Sequence, residues 1–258
     1  MKPPNYTEAK EKYLGKTFQS KSYGAFKIVD YTSSANVRVV FQDTGYETIT
    51  HIGLIKRGEV KDCFKPTVQG FGIIGKESIR DSSGKILDSY RKWESMLDRV
   101  YGRGCKVDET NPYYSVYISE DFRWFKNFKE WCHEQIGFDM NGWVLDKDIL
   151  VKGNKFYSPE ACCFVPVELN SLLVNNRAVR GSFPVGVYYD KSRKNFQAYV
   201  RVNGKRKSLG RYQTCIEAFL AYKQAKEAYI KEVANKWKDQ IDPRVYNSLM
   251  NYEVKLDD

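Results

Sequence analysis

The 258-residue chain is 42% hydrophobic, enough for one large domain or roughly two to three small ones with real cores. It holds no run of eighteen or more apolar residues, which excludes a membrane-spanning helix. Lys and Arg number 42 against 32 Asp and Glu, and the net charge of +10 points to a polyanionic partner, which inside a cell usually means nucleic acid.

The first segment, MKPPNYTEAKEKYLG, lacks the apolar stretch and small-residue cleavage site of a signal peptide, so the chain is expected to stay in the cytoplasm. Residues 15–75 alternate apolar and polar side chains in GAFKIVDY and NVRVVFQDTGYETI, with TSSAN and DTGY as turns. That pattern predicts a small antiparallel β-barrel over residues 1–78. His51 reads as a surface or turn residue of this region. GFGIIG, Gly70 to Gly75, matches a dinucleotide-binding fingerprint but has no phosphate-binding helix after it, so its glycines are read as turn or close-approach positions. The polar KESIRDSSGKILD predicts a linker or surface loop near residues 76–87.

From Ser89 the spacing turns helical, with Tyr90, Trp93, Met96, Leu97 and Val100 on one face. A second helix is predicted over EDFRWFKNFKEWCHEQI, sharing Phe122, Phe125, Phe128 and Trp131 or Cys132 on one face. His133 beside Cys132 raises the thought of a metal site with Cys105, Cys162 or Cys163, but adjacent helical residues diverge by about 100° and no ligand spacing supports it. The six cysteines form no C-x-x-C pair and are expected to be reduced, part-buried thiols. A short helix is predicted from about Val167 to Leu173.

The last region starts near Arg180. PVGVYYD, NFQAYVRV and KSLGRY predict three short strands, with Asn203-Gly204 as a hairpin turn. Thr214 and Glu217 form a capping box for a helix running from Cys215 to about Trp237, and the tail from Asp239 is expected to pack as one more short helix. Alternation in NFQAYVRV sends Phe196, Ala198, Val200 and Val202 to one face, and Gln197, Tyr199 and Arg201 to the other. Between Gly186 and Thr214 stand Lys191, Arg193, Lys194, Arg201, Lys205, Arg206, Lys207 and Arg211 against one acid, Asp190, a net +7. A cationic, partly aromatic sheet face suits double-stranded DNA: cations release counterions from phosphates, while Arg and Gln can read base edges.

GVYYDKSRKNFQAYVRVNGKRKSLGRYQTCIEAFLAYKQA resembles the Apetala-two-type DNA-binding domain of plant ethylene-response factors and phage endonucleases. The resemblance implies a three-stranded sheet lying in the major groove, with Tyr188, Tyr199, Arg201, Arg206 and Ser208 at the base-reading positions. Tyr188, Tyr199 and Ser208 are not the Arg or Trp of the plant proteins, so the plant target sequence does not transfer. Arg193, Lys194, Gln197, Lys205, Lys207 and Arg211 complete the expected DNA-binding set.

WESMLDRVY, YYSVYISEDFRWFKNFKEW, LDKDI and YSPEACCFVPVELN resemble phage HNH-type proteins, of strand-strand-helix fold. That resemblance implies an acid at Asp146 and a helical metal ligand at Asn170. It puts Lys147 where the histidine base stands and Ala161 where a strand-orienting Asn stands. A protonated lysine accepts no proton, so the expectation is a degenerate site. Tyr157 lies near enough in sequence to keep open the alternative of an active Mg²⁺-dependent nicking or homing endonuclease. In the degenerate case the module adds DNA contacts through cations such as Lys147, Lys152 and Lys155.

The expectation is thus an α+β protein: a small β-barrel at 1–78, an HNH-like ββα module with flanking helices at 88–177, an Apetala-two-type sheet and helix at 180–238, and a tail at 239–258. Its expected function is sequence-preferring double-stranded DNA binding of phage or mobile-element type, in the host cytoplasm and without a cofactor, acting for instance as a transcription regulator.

Overall fold

The computed structural model describes residues 6–105, 111–173, 183–256 and 258. The chain divides into two compact units, Met1–Lys129 and Glu130–Asp258. Among the described residues no helix is long and apolar enough to cross a membrane. The expected chain position near Arg180 for the start of the last region lies outside the described residues.

In the first unit, helix α1 (Tyr6–Tyr13) precedes β1 (Thr17–Ser20), β2 (Gly24–Ser33), β3 (Asn36–Phe41) and β4 (Glu47–Thr50), then α2 (Ile52–Arg57). The strands form an antiparallel sheet in the order β1-β2-β3-β4. Phe26, Ile28, Val37, Val39 and Phe41 alternate onto its inner face, and a register shift after Ile28 returns Tyr31 to that face as well. The expected barrel is not found: the sheet is open, with β1 and β4 as its edges. Ile52 and Ile55 of α2 share the core with these strands, and Ala9 and Tyr13 of α1 pack against it, so the apolar face is covered without closure. Exposed His51 caps α2, its Nδ1 accepting from Gly53 N at 2.9 Å.

Downstream lie α3 (Asp88–Tyr101), β5 (Tyr117–Ile118), α4 (Glu120–Arg123) and α5 (Phe125–Glu134), within which the chain passes to the second unit. Trp93, Leu97, Phe122, Phe125 and Phe128 are fully buried, and Trp93 Nε1 donates to Phe122 O at 2.6 Å. The single helix expected over residues 120–136 is broken at Trp124, which is extended at φ −91° and ψ 123°. The cause is tertiary: Ile73 N donates to Arg123 O and Ile73 O accepts from Phe125 N, each at 2.9 Å, a bridge that a continuous helix would exclude. GFGIIG supplies that bridge. Its Gly72 lies so close to α3 that a Cβ would sit 2.5 Å from Leu97 Cδ1, a contact only glycine permits.

The second unit contains β6 (Trp143–Asp146), β7 (Phe156–Tyr157), β8 (Cys163–Pro166) and α6 (Val167–Leu172). It continues through β9 (Val187–Asp190), β10 (Asn195–Val202), β11 (Lys205–Tyr212), α7 (Cys215–Trp237) and α8 (Pro243–Met250). β6 and β8 pair antiparallel, with Trp143 opposite Pro166 and Asp146 opposite Cys163. Glu168 of α6 accepts from Lys236 Nζ at 3.0 Å and Trp237 Nε1 at 2.9 Å, tying α6 to the end of α7. These two donors hold the Glu168 carboxyl below its usual range. β9–β11 form a three-stranded antiparallel sheet with β10 central. Val187, Ala198 and Val200 bury against Ala218, Phe219 and Tyr222 of α7, with Val254 of the tail in the same core.

Candidate nucleic-acid interface

The sheet face away from α7 is set by the pleat of β10, whose Ala198 and Val200 are buried while Arg201 is exposed. Register then arranges that face in rows. Gln197 lies between Tyr188 and Arg211, Tyr199 lies opposite Ser208, and Arg201 lies opposite Arg206. Between Ala198 and Tyr199 the register with β11 shifts by one residue, so Leu209 packs inward while Ser208 keeps to the outer face. The turn between β10 and β11 has Asn203 at φ 49° and Gly204 at φ 74°, the two positive dihedrals of a type I′ hairpin. Tyr229 of α7 anchors it: its hydroxyl donates to Asn203 Oδ1 at 3.1 Å and accepts from Asn203 N at 3.0 Å.

Gly186 sets the start of β9. Its φ is +78°, and a Cβ there would stand 2.1 Å from Tyr222 Cδ2. Its carbonyl accepts from Tyr199 N at 2.9 Å, so the strand's start is held against both the helix and the central strand.

The outer face carries two linked devices. The Arg206 guanidinium lies 3.7 Å from the centroid of Tyr199 and 4.5 Å from that of Tyr188, two rings that meet edge to face at 5.8 Å. This packing fixes the guanidinium without neutralising it. The second device is a chain of hydrogen bonds in which Tyr199 Oη donates to Gln197 Oε1 and Gln197 Nε2 donates to Asp190 Oδ2 at 2.9 Å. Asp190 Oδ1 in turn accepts from Ser192 Oγ at 2.6 Å, Ser192 N at 3.0 Å and Arg193 N at 3.2 Å. The Ser192 hydroxyl, followed by the backbone amides, keeps the Asp190 carboxyl below its ordinary range.

Arg193, Lys194, Arg201, Lys205, Arg206, Lys207, Ser208 and Arg211 are all exposed. Among the described residues, Arg201, Lys205, Arg206, Lys207 and Arg211 carry no ion pair, and Arg193 approaches Asp190 only at 3.9 Å. The structure does not bring the whole predicted set onto one face. Lys205 pairs with Val202 and Lys207 with Val200, so both side chains leave β11 on the helix side, at the rim. Arg193 and Lys194 belong to the β9–β10 turn, at the opposite end of the sheet from Arg201 and Arg206. Lys155 is exposed in the loop after β6. Lys152 is committed elsewhere: its Nζ donates to Glu253 O at 2.7 Å and Asp258 Oδ2 at 2.6 Å and lies 4.7 Å from the Tyr252 ring.

At the positions where a degenerate nuclease site was expected, Asp146 Oδ1 accepts from Asp148 N and Ile149 N, both at 2.7 Å, and so caps the turn that ends β6. Burial raises its carboxyl above the usual aspartate range. Lys147 is 8% exposed, its Nζ donating to the Asp148 carboxylate at 2.7 Å and to Asn154 O at 2.8 Å, 5.8 Å from the buried Tyr157 ring. Asn170 is half-buried on α6. A hard cation needs several unengaged oxygen ligands, and an Asp146 bound to two amides beside a lysine ammonium does not fit that need. Ala161 only donates its N–H to Ser158 Oγ at 3.3 Å. The strand-tying amide is instead Asn154, whose Nδ2 donates to Lys147 O at 2.8 Å and Phe156 O at 2.6 Å. Sequence reading missed Asn154; its only signal was an Asn after Gly153 in a turn. His133 is exposed against the Phe138 ring, and among the described residues no three His, Cys, Asp or Glu side chains gather as a metal site.

Compared with known families, residues 183–232 match the AP2 domain. That segment covers β9, β10, β11 and most of α7, the elements that build the outer face. No curated protein and no solved structure was found to match the chain. Nothing in the comparisons supports a nuclease module or a phage origin.

Proposed function

With an AP2 domain at residues 183–232 as the premise, we propose that this protein binds double-stranded DNA with a sequence preference, laying the outer face of β9–β11 in the major groove. The observation that carries the reading is the coincidence of that domain with an outer face on which Tyr188, Arg201, Arg206, Ser208 and Arg211 are exposed and Gln197 and Tyr199 half-buried. The dimensions agree. Strands about 4.8 Å apart make a face about 10 Å across, against a groove about 12 Å wide. Arg201, Arg206 and Arg211 supply charge and donors to base edges, while Arg193, Lys194, Lys205 and Lys207 stand at the ends and rim, where phosphates run.

The test is selection of bound sequences from a random duplex pool, followed by titration of the best site at several salt concentrations. Arg201→Ala with Arg206→Ala should weaken the best site at least tenfold or so and blur its sequence. Lys205→Ala with Lys207→Ala should flatten the salt slope, by about 0.9 per lost phosphate contact, and leave the selected sequence intact. An unchanged affinity in the double arginine variant would falsify the assignment of this face.

The finer reading is that the central segment has the scaffold of a nuclease and binds without cutting. In its favour, β6, β8 and α6 follow in strand-strand-helix order, while Asp146 and Lys147 are engaged by Asp148, Ile149 and Asn154. The selected duplex should stay intact in Mg²⁺; nicks that vanish in Asp146→Ala would restore the nuclease alternative.

A further inference from the structure

Gln197 sits in the middle of the central strand, on a face to which Arg201, Arg206 and Arg211 bring the positive charge. A neutral amide adds no net charge to phosphate attraction and acts there through directed hydrogen bonds. Its orientation is imposed by neighbours. An ionised carboxylate only accepts, so Asp190 must be met by the amide nitrogen, as it is at 2.9 Å. The amide oxygen is thereby turned to Tyr199, whose hydroxyl donates to it. Both ends of the chain are fixed, Asp190 by three donors of its own turn and the Tyr199 ring by the Arg206 guanidinium at 3.7 Å.

An amide has two N–H donors and two oxygen lone pairs. The chain uses one of each, leaving one N–H donor and one oxygen lone pair, with the nitrogen on the Asp190 side and the oxygen on the Tyr199 side. Adenine offers the complementary pair in the major groove, an N6 donor beside an N7 acceptor. Guanine offers two acceptors and would oppose O6 to Oε1. We infer that Gln197 reads an adenine, and that Asp190 and Tyr199 are positioning residues that lock its amide for that base. The inference rests on the DNA-binding reading above and deepens it to one base of the target.

The experiment uses the full chain. Selection from a random duplex pool should give a motif with an adenine at one or more positions. Gln197→Ala should relax one of those adenines to mixed bases and keep the rest of the motif; Asp190→Asn, which lets the amide turn over, should weaken the preference at the same position. Independently of any variant, 7-deazaadenine at that position should weaken binding of the unaltered protein about tenfold, and should leave Gln197→Ala unaffected. A motif returned unchanged by Gln197→Ala, a relaxed position that is not adenine, or indifference to 7-deazaadenine overturns the role of Gln197 while leaving DNA binding standing. Failure of the unaltered protein to bind any duplex brings down both readings.

Discussion

Asp146 and Lys147 occupy the positions at which the nuclease resemblance places a metal ligand and a base, and the local partners of each commit it to loop structure. Asp146, half-buried, accepts from two backbone amides, and its carboxyl is raised mainly by desolvation. The sign follows: the folded state holds this proton more readily than the unfolded chain, so stability falls as pH rises from the ordinary aspartate value through the raised one. Asp146→Asn keeps an acceptor and sheds that penalty, and is expected to be at least as stable as the parent at pH 7. Asp146→Ala strands two amides and should lose about 1–3 kcal/mol. Urea denaturation at pH 7 and pH 4 checks both; equal stability of the alanine variant and the parent would remove the capping role. Lys147 was legible as a departure from a base, but nothing in its neighbours along the chain signalled that Asn154 O and the Asp148 carboxylate would bury it.

The elements of the AP2 segment were the most legible. Period-two alternation in NFQAYVRV, Asn-Gly at the turn and Thr214-x-x-Glu217 at the helix start each specify local backbone, and all three are realised in β10, the type I′ hairpin and α7. The capping box forms with Thr214 Oγ1 accepting from Glu217 N at 3.2 Å and Glu217 Oε2 accepting from Thr214 N at 3.0 Å. How these elements are joined depends on closer contacts. Gly186 combines a φ of +78° with direct contact on Tyr222, so Gly186→Ala adds backbone strain to a clash. The expected cost is about 2–4 kcal/mol, measured by thermal or urea unfolding, and DNA affinity should fall with it. Insensitivity to this substitution would mean that β9 is not held on α7 as described. The helix predicted over residues 120–136 shows the opposite limit, because the bridge from Ile73 that breaks it comes from a distant segment.

Over the whole molecule, the six cysteines are free and divide by burial. Cys132, Cys162 and Cys163 are buried, and burial pushes the Cys162 thiol up to about 12 and the Cys163 thiol up as well. Cys63, Cys105 and Cys215 are half-buried. A thiol reagent at pH 8 should therefore label those three in the native protein and the other three only after unfolding, read by mass spectrometry of labelled peptides. Rapid native labelling of Cys162 would contradict the packing around β8.

The sequence by itself determined the strands and helices of the last region, the net positive charge and the place where it concentrates, because alternation, capping and composition act between near neighbours. Tertiary structure alone decided that the first sheet stays open under two helices, that Arg206 shares the face of Arg201, and that Asp190, the one acid of the basic window, orients Gln197. Each of these depends on strand register or on contacts between distant segments, and an alternating pattern carries no information about either.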